Sequence, residues 1–379
     1  MRPGGLLIAL GVAALVCLSA AQVALAKPGD LIVTSYGPGA VTRIDPATGH
    51  QSVISNDPKL QDPQGLTFGP SGEIYVADYI ADSIFGVNPK TGKTTVRSAD
   101  PAFDDPQYVD LGPDHNLYVP DDSVGSVFRI APASPDAVPF SSGGHYQFPY
   151  GVEVAHDASI LVADGSAKLI RVNRATGAQH LLADTSSQDP GLAGITEAPN
   201  GIVYASTSDP AILRINPKTG GVSTVSSGGL MYSVYDVAIA PNGKLYATNY
   251  DFMAGAPEVL KINPKTGGQS VVASRGAKVH DAAGIEIQPP KCGGETTMIV
   301  GSDKADHLSG SKFADVIAGL NGDDLIKGRK GNDLICSGPG NDVIRDTRGR
   351  NKIDCGPGHD IVITNRRSEA KNCEDVTRR

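Results

Sequence analysis

The sequence predicts an all-β chain, a six-bladed β-propeller with N-/C-terminal ring closure followed by a C-terminal parallel β-roll. Three observations carry this. A line of about 43 residues recurs between Lys27 and Pro290, a line of about nine residues recurs after Pro290, and 45 Gly with 27 Pro punctuate both. The chain has no Trp and a slight excess of acidic side chains, for a net charge of -8, which disfavours a nucleic-acid partner.

The first segment, residues 1–26, is expected to be a signal peptide. Arg2 supplies positive charge, Leu6 to Leu18 is an apolar run, and Ala24-Leu25-Ala26 is a small-x-small cleavage site. The protein is then expected outside the cell, secreted or at the cell surface, with no membrane span after cleavage; the alternative is an uncleaved membrane anchor, for which the apolar stretch is short.

Residues 27–290 are expected to form the propeller. One line recurs as LTFGPSGEIYVAD (Leu66–Asp78), VDLGPDHNLYVPD (Val109–Asp121), VEVAHDASILVAD (Val152–Asp164), ITEAPNGIVYAST (Ile195–Thr207) and VAIAPNGKLYATN (Val237–Asn249). A second line follows as RIDPATG (Arg43–Gly49), GVNPKTG (Gly86–Gly92), RVNRATG (Arg171–Gly177), RINPKTG (Arg214–Gly220) and KINPKTG (Lys261–Gly267), with a degenerate RIAPASP at Arg129–Pro135. Alternating, β-branched runs joined by Pro-x-Gly or Asn-Gly turns read as four antiparallel strands per period. The last copy stops at GIEIQPP (Gly284–Pro290), and DLIVTSYG (Asp30–Gly37) supplies its continuation, so the two ends should share one blade and leave no open edge.

These lines resemble the six-bladed propellers of the NHL-repeat, gluconolactonase and streptogramin-lyase superfamily. In gluconolactonase-like members the resemblance implies a divalent cation held by a Glu and an Asn just before the inner strands. The matching positions here are Gln64, Gln107, Tyr150, Ala193, Tyr235 and Ala283, none of them a carboxylate. A streptogramin-lyase-like mechanism implies a His base beside acidic metal ligands, and the residues to watch are Asp236, His280, Asp281 and Glu286. A metal-dependent lactonase or lyase is therefore the alternative to a non-enzymatic scaffold. Asp110, Glu153, Glu197, Asp236 and Glu286 lie on the inner strands, where alternation leaves open whether they face the channel.

Ligand recognition is expected on the face bearing the irregular connections. Tyr108, Tyr146, Phe148, Tyr150, Tyr235 and Tyr250 gather there, with an insertion around Asn249–Glu258. The expected partner is a small molecule or an extracellular or cell-surface component, and the protein is expected to be a monomer. Residues 27–291 hold 27 acidic against 18 basic side chains, so a cationic ligand is favoured.

Residues 291–379 are expected to form the β-roll. Asp306, Asp315, Asp324, Asp333, Asp342, Asn351 and Asp360 fall at one spacing, each followed two residues later by an aliphatic: Leu308, Ile317, Ile326, Ile335, Ile344, Ile353 and Val362. Gly322, Gly331, Gly340, Gly349 and Gly358 stand two residues before. This resembles the GGxGxDxUx nonapeptide of hemolysin-type (RTX-like) calcium-binding repeats, which implies Ca2+ held by turn glycines and aspartates. The expected metal residues are Asp306, Asp315, Gly322, Asp324, Gly331, Asp333, Gly340, Asp342 and Asp360, with the best repeats between Gly319 and Asp342. Lys304 and Phe313 stand where a turn Gly belongs, Arg329 replaces a second Gly, and Asn351 breaks the carboxylate series.

Cys292, Cys336, Cys355 and Cys373 lie in this last segment, an even number that argues for two disulfides in an exported chain. Three pairings are possible, and the sequential one, Cys292–Cys336 with Cys355–Cys373, is expected. A zinc site is disfavoured because no CxxC pair occurs.

Overall fold

The structure, a computed structural model, describes residues 27–37, 39–188, 191–250, 257–276 and 278–379. The expected signal peptide lies outside them, as does most of the Asn249–Glu258 insertion. Every regular element among the described residues is a strand.

Six four-stranded antiparallel sheets form the propeller. In the closing blade the inner strand is Ala282–Ile287, followed outward by Leu31–Ser35, Ala40–Ile44 and Gln51–Ser55. Leu31 pairs with Ile287 and Val33 with Ile285, so the N-terminal strands complete the blade begun at the C-terminal end of the ring. Core clusters bridge neighbouring blades: Leu31, Val33 and Ile44 pack with Val259 and Ile285. Each fully buried aliphatic of this kind contributes about 1.5–3 kcal/mol.

Close approach of the inner strands explains one glycine register. A Cβ at Gly65 would collide with the Tyr108 ring, and a Cβ at Gly284 with the Gln64 carbonyl. Tyr108 occupies the register position held by Gly65 in the preceding blade, and its ring packs into the space that the glycine leaves open.

After a short hairpin, Lys291–Cys292 with Glu295–Thr296, the chain winds into two facing five-stranded parallel sheets. Strands 18 residues apart are hydrogen-bonded neighbours, as in Leu325 opposite Val343 and Leu334 opposite Lys352. Nine residues therefore make a half-turn. Leu308, Ile317, Ile326, Ile335, Ile344, Ile353 and Val362 form one buried column between the sheets, as the spacing predicts. Disulfides join Cys292 to Cys336 and Cys355 to Cys373, the sequential pairing.

The roll begins against the short-turn face of the propeller. Thr296 donates its N–H to the Pro70 carbonyl at 3.0 Å and Asp303 to the Pro241 carbonyl at 3.3 Å. Phe313, out of place as a turn residue, lies with its ring 5.2 Å from the Arg174 guanidinium, a cation–π contact between the two parts.

Candidate metal centre in the roll and an acidic cavity beneath the propeller

The aspartates of the roll fall into two rows because successive half-turns face opposite edges. Asp306, Asp324, Asp342 and Asp360 stack along one edge; Asp315, Asp333 and Asn351 along the other. In each row a carboxylate Oδ1 accepts the N–H of the Asp one full turn earlier. Asp306 N–H donates to Asp324 at 2.9 Å, Asp324 N–H to Asp342 at 2.8 Å, Asp342 N–H to Asp360 at 2.9 Å, and Asp315 N–H to Asp333 at 3.0 Å.

That ladder engages one oxygen and leaves the other alone. Asp324, Asp333, Asp342 and Asp360 are at most 2% exposed, and among the described residues Oδ2 of each has no hydrogen-bond partner. Burial, reinforced by the charges of Asp342 and Asp306, pushes the Asp324 carboxyl up to about 7. Burial likewise raises Asp333, Asp342 and Asp360. Stacked, dehydrated, unpaired carboxylate oxygens are costly unless a cation meets them, and a hard oxygen set beside glycine-bearing turns suits calcium. The residues present therefore fit the ion.

The leading member of each row differs. Ser302 donates its N–H and hydroxyl to Asp306 Oδ2 at 2.5 and 2.8 Å, and Ser311 engages both oxygens of Asp315. These serines satisfy the first turns without an ion. The turn glycines are needed for both conformation and space: φ is +121° at Gly322, +132° at Gly331 and +150° at Gly340, and a Cβ at Gly340 would collide with the Gly322 carbonyl. Arg329 and Leu320, which occupy second-Gly positions, adopt φ of 73° and 77°, a strained state for a side-chain-bearing residue. Asp346, which the repeat pattern did not single out, is fully buried in the second row beside Asp333.

In the propeller, four of the five inner-strand acids face one space. Asp110, Glu153, Glu197 and Glu286 line a cavity of about 470 Å³ between the channel and the start of the roll, roofed by Met298, Ile299 and Val300. Among the described residues, its lining includes no Lys or Arg. His156 Nδ1 lies 2.7 Å from Glu197 Oε2. Burial and the neighbouring Asp110 charge push Glu286 up to about 8, and burial with the Asp110 and Glu286 charges raises Glu153. Burial also raises Asp110, although Thr67 and the Val154 N–H both donate to it.

Asp236 sits deeper in the channel, 5% exposed, accepting from the Val237 and Ile285 N–H groups at 2.8 and 2.9 Å. Burial raises it to about 7. Asp281 instead pairs with Arg275 at 2.7 Å, while His280 is half-buried. Among the described residues, the only three acidic, His or Cys groups with ligand atoms within 4.8 Å of one another are Asp82, Asp104 and Asp105, so Asp236, His280, Asp281 and Glu286 do not converge.

The six aromatic residues separate by depth. Tyr108 is 6% exposed and spans the channel, its hydroxyl donating to the Tyr235 carbonyl at 3.1 Å. Tyr146 packs with Tyr118 and Ile160. Tyr150, Tyr235 and Tyr250 are half-buried, and Phe148 is exposed. Tyr36 joins this group, its ring 5.4 Å from that of Tyr250.

The acids ending several second strands turn out to be structural. Asp164 is fully buried, its Oδ2 accepting from the Gln147 and Phe148 N–H groups at 2.8 and 3.0 Å and its Oδ1 from Ser166. Asp78 holds the Gln61 and Asp62 N–H groups in the same way. The recurrence of Asp at the end of the YVAD line carries that signal.

Fold and site together define a six-bladed propeller bearing an aspartate-stacked parallel β-roll. The roll carries the RTX calcium-binding nonapeptide repeat, matched in four copies over residues 300–335 and 337–366. The propeller is similar to a chain of the nidogen/laminin complex at 15% identity, over 69% of this chain and 99% of that one, with a TM-score of 0.58. It is also similar to a streptogramin B lyase at 15% identity, over 69% and 89% of the two chains, with a TM-score of 0.52. Both likenesses concern the fold. No curated protein matches the sequence.

Proposed function

We propose that this is a secreted calcium-binding protein whose β-roll takes up Ca2+ and whose propeller serves as a ligand- or partner-binding scaffold. The observation that carries the reading is the set of buried Oδ2 atoms without partners on Asp324, Asp333, Asp342 and Asp360. Bound calcium supplies positive charge to those oxygens and so couples metal uptake to the stability of the roll. The disulfides support an oxidising, extracellular setting. The acid-lined cavity supports a positively charged ligand for the propeller.

The test is calorimetric titration of the full, disulfide-intact chain with calcium, paired with thermal unfolding in EDTA and in excess calcium. Saturable uptake and a higher melting temperature in calcium are expected. Identical melting in both conditions, with no heat of binding, overturns the reading.

A further inference from the structure

The second row of the roll lacks a carboxylate where the repeat requires one. Asn351 takes the position that Asp342 and Asp360 hold in the first row, and both ends of its amide are engaged. Its Oδ1 accepts the Asp333 N–H at 3.2 Å and its Nδ2 donates to the Asp346 carbonyl at 3.2 Å. Asn351 therefore keeps the ladder but offers no free anionic oxygen.

Asp346 begins the same half-turn, at the position Gly310 and Gly328 fill in the two preceding turns of that row. Its side chain is fully buried, and among the described residues neither Oδ1 nor Oδ2 has a hydrogen-bond partner of good geometry; the groups beside it are the Asp333 carboxyl, the Arg348 N–H and the Asn351 side chain. The carboxylate is aimed at the unpaired Oδ2 of Asp333. A Cβ on Gly328 would collide with Oδ2 of both residues, so the glycine provides the room in which the two acids meet. Two dehydrated carboxylates facing each other without a donor repel strongly unless a cation or a shared proton lies between them.

We infer that Asp346 is a calcium ligand of the second row, supplying from the first turn position the carboxylate that Asn351 does not, and so forming with Asp333 a site the repeat pattern does not assign. This rests on the proposal that the roll binds calcium, and the test separates the two.

The experiment is calcium titration calorimetry of the full chain as wild type, Asp346→Gly, Asp346→Asn and Asp346→Gly/Asn351→Asp, each also melted in EDTA. Gly is the residue of the neighbouring turns, and Asn keeps the side-chain volume, so at least one single variant is expected to fold. The expected result is loss of one site, or at least a tenfold weakening of it, in both single variants while first-row uptake persists. The double variant should recover it, because Asn351→Asp places a carboxylate at the usual position. Unchanged stoichiometry and affinity in a folded single variant overturns the inference and leaves calcium binding standing; if that variant also melts lower in EDTA, Asp333 and Asp346 share a proton in place of an ion. Absence of calcium uptake by the wild type overturns both.

Discussion

Replacing Asp342 by Asn separates the metal from the ladder. Asp342 Oδ1 accepts the Asp324 N–H at 2.8 Å, and the amide oxygen of Asn preserves that bond. Oδ2 is the atom that changes, and it is buried without a partner. Burial, with Asp323 adding its charge, holds this carboxyl above its ordinary range. Leaving such a group unpaired costs about 1–3 kcal/mol, so in EDTA the neutral variant should melt at or slightly above the wild type. In calcium at about 100 times Kd, a site contributes about 2.7 kcal/mol, a share the variant forfeits at this position. The order of melting temperatures should therefore reverse between the two conditions. Thermal unfolding followed by circular dichroism measures both. A variant less stable than wild type in EDTA, yet gaining as much from calcium, would refute the reasoning.

Four further variants probe the fold. The raised channel acids Glu286 and Asp236 favour protonation in the native state, so their share of stability is present at pH 4 and is lost as pH rises through about 7 to 8. Glu286→Gln should flatten that decline by on the order of 5 kcal/mol at about 1.4 kcal/mol per pH unit, read from melting temperature against pH; an unchanged slope counts against the buried-acid reading. Asp164→Ala strands the Gln147 and Phe148 N–H groups and should destabilise the propeller by roughly 2–4 kcal/mol, seen as a lower urea midpoint. Gly340→Ala drives a methyl into the Gly322 carbonyl at a positive φ and should lower the roll's stability by at least about 1–2 kcal/mol, whereas Arg329→Gly, which relieves a φ of 73°, should raise it.

Much of the architecture was legible in the sequence because turn chemistry repeats wherever strands repeat. The Pro-x-Gly and Asn-Gly hairpins fixed the blade period, the truncated GIEIQPP copy announced ring closure, and the aliphatic two residues after each Asp marked the core of the roll. The inner-strand acids were visible, but alternation could not say which face they took, since bulges shift the register near Gly65 and Asp236. Asp78 and Asp164 resemble site residues in one dimension and act as caps for backbone N–H groups in three. Phe313 reads as a departure from the repeat, and Asp346 carries no signal at all, until their neighbours in space are known: Arg174 of the propeller explains the first, and Asp333 with Gly328 the second. The docking of the roll on the propeller's short-turn face has no local sequence signal, because its hydrogen bonds run to the backbone carbonyls of Pro70 and Pro241.

The most direct measurement is anomalous diffraction at a wavelength sensitive to calcium, from crystals of the full chain grown with the ion. Peaks are expected beside the unpaired oxygens of Asp324, Asp342 and Asp360 along one edge of the roll, and beside Asp333 along the other. A roll without anomalous peaks at saturating calcium would contradict calcium binding by the roll.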